Sequence, residues 1–278
     1  MNPMIRKELR QRMRERRSWV LPSLYLAALG AAVVLAYFFS TEGFPFQMEA
    51  EPQGTQVGVA VFLTIAYAQM ALLLLLAPVF SAGSLTIEKE QRTLAMLLTS
   101  LLSPAEIWVG KFVSAMLFTT LLLLSGLPVL SLAFSLGGIG PEDLLRATTM
   151  TLLVLASISA IGLYFSSIFR RSVHSTAVSY AAVIALTAIT FIMFSLLRSH
   201  WETSQARWNQ SVAAASREMP RYYMAPLYVN PFYALTASLT RPHQKFPDWL
   251  ISALVFLALG LLAALLAFRN IRRRGESG

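Results

Sequence analysis

Six long apolar stretches dominate the pattern of this 278-residue chain: 19–39, 57–80, 112–136, 147–169, 177–197 and 249–268. Each holds 20 to 25 residues, and none contains Asp, Glu, Lys, Arg or His. A hydrocarbon core ~30 Å thick needs about 20 helical residues at a rise of ~1.5 Å, so every stretch is long enough to cross it. The pattern predicts an all-α polytopic membrane protein with six transmembrane helices. A membrane β-barrel is excluded, because its strands would alternate over segments of about 10 residues. The first stretch is no cleavable signal: its apolar run is too long, and Phe39-Ser40-Thr41-Glu42 offers no small-x-small cleavage site.

The segments between the spans carry the remaining predictions. Residues 1–18 read as an N-terminal interfacial amphipathic helix, with Met4, Ile5, Leu9 and Met13 opposite Arg6, Lys7, Arg10, Arg14 and Arg17. A plainer reading, compatible with it, is that these cations only hold the N-terminus inside. The loop 40–56 has three Glu and no cation. Glu142 and Asp143 mark a helix start, and Arg170-Arg171 a tight hairpin. In the segment 84–111, Leu94, Leu97, Leu98, Leu101 and Leu102 form one helix face, with Glu88 and Glu90 expected in its first turn. Ser103, Pro104 and Glu106 then read as N-cap, N1 and N3 of a further short helix that enters the third span at Gly110-Lys111. Two readings stay open for the leucine helix: a connector resting on the bilayer, or a docking surface given register by its mixed charge.

The segment 198–248 is too polar to span. Trp201, Trp208, Val212, Ala215 and Met219 stay within about 40° of one line at ~100° per residue. This predicts an exterior helix from about Ser199 to Met219, stopped by Pro220, with its Trp stripe on the outer leaflet or on a second copy. A lid packed on the chain's own spans is the alternative. Asn230 should cap a second short helix that starts at Pro231.

Composition sharpens this picture. Hydrophobic residues make up 56 % and charged residues 13 %, far from a soluble domain of this length. The net charge of +9 is distributed as a topology signal rather than as a nucleic-acid surface. With the N-terminus inside, the inner segments hold 16 Lys/Arg against 7 outside, which places both termini in the cytoplasm of a multi-pass protein of the cell membrane. The same cations attract anionic lipid. No Cys is present, so thiol chemistry and disulfides are excluded. His174, His200 and His243 lie too far apart in sequence for a zinc motif, and no metal site is expected. Gly110-Lys111 is no phosphate-binding loop, because Ala105 stands where its first Gly belongs and Phe112 where the hydroxyl belongs. Uncharged spans also disfavour an ion-coupled carrier. Polar residues within the spans, Tyr67, Gln69, Thr187 and Thr190, are candidates for a translocation route, with interhelical packing as the alternative.

Glu88-Lys89-Glu90-x-x-Thr93-Leu94-x-x-Leu97-Leu98-Thr99-Ser100, then Ser103-Pro104 and Gly110-Lys111, resembles the cytoplasmic segment of bacterial type-2 ATP-binding-cassette permeases. The Asn2-Pro3-x-Ile5-x-Lys7-Glu8 opening, the Asn230-Pro231-Phe232 run and the six-span layout are similar too. Arg92 departs from the pattern, where that family usually has Gly. The resemblance implies the transmembrane subunit of an exporter, not itself an enzyme, coupled to two copies of a separate ATPase subunit. ATP and Mg would sit on that partner and no cofactor on this chain. Coupling would fall to Glu88, Glu90, Arg92, Thr93 and Leu97. Spans two and five would line a seam with a second permease copy or a sister permease, and the helix after Asn230 would be re-entrant. That helix, with Trp201, Trp208, Asn230 and Pro231, would close the exit. A non-transporting membrane scaffold or sensor is the rival.

Overall fold

The computed structural model describes residues 17–41, 53–93, 104–137, 139–211, 220–239 and 247–276, and they are helical with no strand among them. Residues 1–16 of the predicted interfacial helix, 42–52 of the loop 40–56 and the leucine face 94–102 lie outside these residues, while 17–18 and 53–56 belong to the long helices that follow them. The long helices are α1 (Arg17–Thr41), α2 (Gln53–Ala82), α4 (Pro104–Ser131), α5 (Pro141–Ile168) and α9 (Asp248–Glu276). The fifth apolar stretch is covered by α6 (Ser172–Ile184), a π-helical turn (Ala185–Ile189) and α7 (Thr190–Ser211). Among the described residues there are also two short α-helices, α3 (Thr86–Glu90) after the second span and α8 (Pro231–Leu239) before the last, and short 3₁₀ turns. Among the described residues five helical runs are long and apolar enough to cross a membrane, and α1 contributes the shorter apolar run Val20–Leu35. The fold is that of an all-helical polytopic membrane protein.

Span four, α5, sits at the centre and packs on α2, α4, α6, α8 and α9. Its sequence explains that position. The buried face is built from Ala147, Ser157, Ser159, Ala160, Gly162, Ser166 and Ser167, small residues that let neighbouring backbones approach. Around it Phe62, Ile65, Leu73, Leu122, Leu155 and Phe256 form the main core. A smaller cluster of Leu85, Ile107, Leu163 and Ile271 closes the end of the bundle that carries Arg170, Arg171, Arg269 and Arg272. It is the basic end of the bundle. Span five is peripheral: Ile189, Phe191, Ile192, Met193 and Leu196 all face away from the chain.

Three expectations are corrected. No new helix starts at Ser199, because α7 carries span five on without a break to Ser211; nothing in Leu197–Ser204 interrupts the helix. No separate short helix precedes Gly110-Lys111, since Pro104 opens one helix that runs through the whole third span. Glu88 and Glu90 are not in the first turn of the leucine helix. They belong to α3, which is closed immediately after Glu90. There the Thr93 amide donates to the Glu88 carbonyl (2.9 Å) and the Arg92 amide to that of Lys89 (3.2 Å), with Arg92 at φ 56°. That pair of bonds around a left-handed residue is a Schellman stop.

Candidate functional site: the charged turn and the outer helix

Two constellations gather most of the residues singled out from sequence. The first is at the basic end, where α3 meets the ends of spans three, four and five. A helix leaves its first four amides and last four carbonyls unpaired, so a tight hairpin such as 169–171 concentrates orphan groups. The three consecutive charges of α3 meet them in turn. Glu88 accepts from the Lys111 ammonium at 2.6 Å in a pair that is largely buried on both sides. Lys89 turns the other way: its ammonium donates to the carbonyls of Ser166 (2.5 Å), Ser167 (2.8 Å) and Phe169 (2.8 Å). A positive charge among the last carbonyls of α5 is favoured by the helix dipole as well as by the bonds. Glu90 sits at the opposite kind of terminus. It accepts from the Ser172 amide (2.6 Å) and hydroxyl (3.0 Å), at the first residue of α6. These bonds, the amide's first, together with the charge of Arg171 hold the Glu90 carboxyl below the ordinary carboxylate range. Its bond to Ser172 therefore persists at neutral pH and is lost only as pH falls through that lowered value.

The start of α3 is tied down by the same region. The Leu85 and Thr86 amides both donate to the Ser166 hydroxyl, at 2.9 and 3.1 Å. Asn270 of α9 donates to the neighbouring Ser167 hydroxyl at 3.2 Å. The tip of the turn, Gln91, Arg92 and Thr93, is exposed, as are Ile87 and Glu90. The acidic pair expected to face a partner is thus engaged by the chain's own helices, although Glu90 remains exposed at its rim. Leu97 lies outside the described residues. Lys89 and Lys111 stood in the sequence motif without a role of their own, and Ser166 and Ser172 were not singled out. The signal was there in part: a helix stop and a helix start separated by three residues suit one cation and one anion.

The second constellation is at the opposite end, around α8. Asn230 caps that helix as expected, its side-chain oxygen accepting from the Phe232 and Tyr233 amides (2.9 and 3.3 Å). Its amide nitrogen reaches across to span five, donating to the Thr187 carbonyl and the Thr190 hydroxyl, both at 2.9 Å. Tyr67 of span two shares a 2.6 Å hydrogen bond with Thr236 on the far side of α8, and its ring lies 6.1 Å from that of Phe232. Tyr67, Thr187, Thr190, Asn230 and Pro231 therefore meet around one short helix. Gln69 does not join them. It is buried and donates to the Leu123 carbonyl of span three at 3.0 Å. Trp201 pairs with Tyr223 of the chain's own 3₁₀ turn Arg221–Met224, with ring centroids 5.3 Å apart. The side chain of Trp208 is outside the described residues. Among the described residues no cluster of His, Asp and Glu could hold a metal.

A helical bundle with a charged turn at one end and a capped short helix at the other is the layout of a polytopic helical membrane protein. The chain belongs to the ABC-2 family transporter proteins, whose family model matches residues 3–269. It is accordingly a membrane permease component of an ABC transporter, the transmembrane part and not the ATPase. Comparison with curated proteins gives no match.

Proposed function

We propose that this chain is the permease half of an ATP-driven exporter, with both termini in the cytoplasm and a separate ATPase subunit docked beneath the basic end. The observation that carries the reading is the turn after span two: its tip, Gln91–Thr93, is outward while its root is bonded to spans three, four and five. Such a turn offers a partner a handle on three spans at once. In this reading Arg92, Thr93 and Leu97 meet the ATPase, and Glu88 and Glu90 fix the handle to the bundle. ATP and Mg belong to the partner.

The apolar outer face of span five, Phe191, Ile192, Met193 and Leu196, suits a second permease copy or a sister permease, which gives two ATPase chains per assembly. The helix α8, held between span two and span five, closes the exit, with Trp201 packed on Tyr223 of the turn that precedes it. The test is purification of the tagged chain from membranes. A stoichiometric ATPase that hydrolyses nucleotide in the complex is expected. A lone dimer indifferent to nucleotide would make the chain a scaffold or sensor and end the exporter reading.

A further inference from the structure

We infer that Lys89 is a positioning residue for energy coupling: it binds the end of span four to α3, while its neighbour Glu90 binds the start of span five, so that movement of the turn is passed to both spans. This rests on the reading of the chain as an ATPase-coupled permease.

Span four ends at Ile168 and span five begins at Ser172, so the α5 carbonyls and the α6 amides lie on either side of 169–171. Carbonyls at a helix end carry partial negative charge and amides at a helix start partial positive charge. Lys89 supplies three donors to three carbonyls of the first set, using every proton of its ammonium. Glu90, the next residue, supplies a carboxylate to the second set. The order Lys-Glu matches the order of the two termini, and the reverse order would place like against like at both.

The connecting helix is short and closed at each end. Its first amides are held by the Ser166 hydroxyl and its last carbonyls by the Schellman stop at Arg92. It has no free end to fray and absorb a displacement. A push on the exposed tip is therefore delivered through the Lys89 and Glu90 bonds to the hairpin. Span five is the helix best placed to respond, because it packs loosely on the rest and carries a π-helical turn in its middle. A purely stabilising role for Lys89 would lower the amount of folded protein without changing what ATP does to the protein that remains.

The experiment uses the complex with its ATPase and the absence of native cysteine. Ser204→Cys, exposed near the far end of span five, carries an environment-sensitive fluorophore, and the signal is read before and after Mg-ATP with vanadate. In the otherwise unaltered chain ATP shifts the signal. Lys89→Arg, which still donates to the carbonyls, keeps the shift. Lys89→Met keeps the ATPase bound at the same stoichiometry and loses most of the shift, by about fivefold or more. If Lys89→Met does not accumulate, Ser172→Ala and Glu90→Gln weaken the span-five arm alone and should halve the shift or worse. A full ATP-driven shift in Lys89→Met, or in both milder variants, overturns the inference. A starting complex that captures no ATPase removes the exporter reading instead, which the stoichiometry reports before any variant is made.

Discussion

The Asn230 side-chain amide donates to the Thr187 carbonyl at 2.9 Å, within the π-helical turn of span five. The widened turn presents that carbonyl to a partner outside the helix, and Asn230 takes it while its oxygen caps α8. One buried side chain thus serves two helices.

The two duties are separable. Asn230→Ser retains an oxygen for the cap but cannot reach Thr187, whereas Asn230→Ala loses both. The Thr187 carbonyl keeps its bonds from Thr190, so losing the Asn230 bond costs about 1 kcal/mol, and losing the cap costs about 1 kcal/mol more. Melting of the purified protein should therefore rank the original chain above Asn230→Ser, and Asn230→Ser above Asn230→Ala. Equal melting of Asn230→Ser and the parent would show that the tether to span five contributes nothing.

Arg92 offers a gain rather than a loss. It is a non-glycine residue at φ 56°, where a Cβ is disfavoured by roughly 1 kcal/mol, and its side chain is exposed. Arg92→Gly should stabilise the Schellman stop by up to about 1 kcal/mol. A higher melting temperature checks this, and an unchanged or lower one would mean that the guanidinium has a compensating partner.

The same residue shows how far the sequence could be read. A glycine expected beside Thr93 marks a helix stop, and reading Arg92 only as a departure from a pattern hid the stop and merged α3 with the leucine helix. The spans themselves were legible, because twenty uncharged apolar residues have few other folds available. So was the Asn230 cap, since Asn before Pro is a local signal that needs no tertiary knowledge. The destinations of Glu88, Lys89 and Glu90 were not legible. Their partners, Lys111, the carbonyls of Ser166, Ser167 and Phe169, and Ser172, lie 23 to 82 positions away, and the three carbonyls and the Ser172 amide are backbone groups that no side-chain pattern reveals. The run of span five into α7 was missed for a related reason: polarity rises at Arg198 without any residue that breaks a helix.

Orientation is open to direct labelling because the chain has no native cysteine. Glu142→Cys, exposed at the start of span four, should react with an impermeant thiol reagent in intact cells. Gln91→Cys, at the tip of the charged turn, should react only after the cells are opened. Labelling of position 91 from outside would invert the arrangement and put the charged turn beyond the reach of a cytoplasmic ATPase.

Spans two and four approach closely at Gly162. A Cβ built on Gly162 of span four would stand 2.1 Å from the Ser81 hydroxyl of span two and 3.3 Å from the Ala82 amide nitrogen. Ser81 cannot swing aside without cost, because its hydroxyl donates to the Ala77 carbonyl at 2.9 Å in a buried site. Gly162→Ala should therefore cost about 1–3 kcal/mol, the range for overfilling a packed interior. Ser81→Ala alone forfeits one hydrogen bond, about 1 kcal/mol. Together the two changes should cost less than their separate losses added, because removing the hydroxyl clears the worst contact and leaves only the Ser81 Cβ at 3.0 Å and the backbone behind it. Gly30, with nothing within 4 Å of its Cβ position, is the control: Gly30→Ala should melt no lower than the parent. Strict additivity of the Ser81 and Gly162 losses would mean that spans two and four separate to admit the methyl group, and that their contact is softer than the geometry requires.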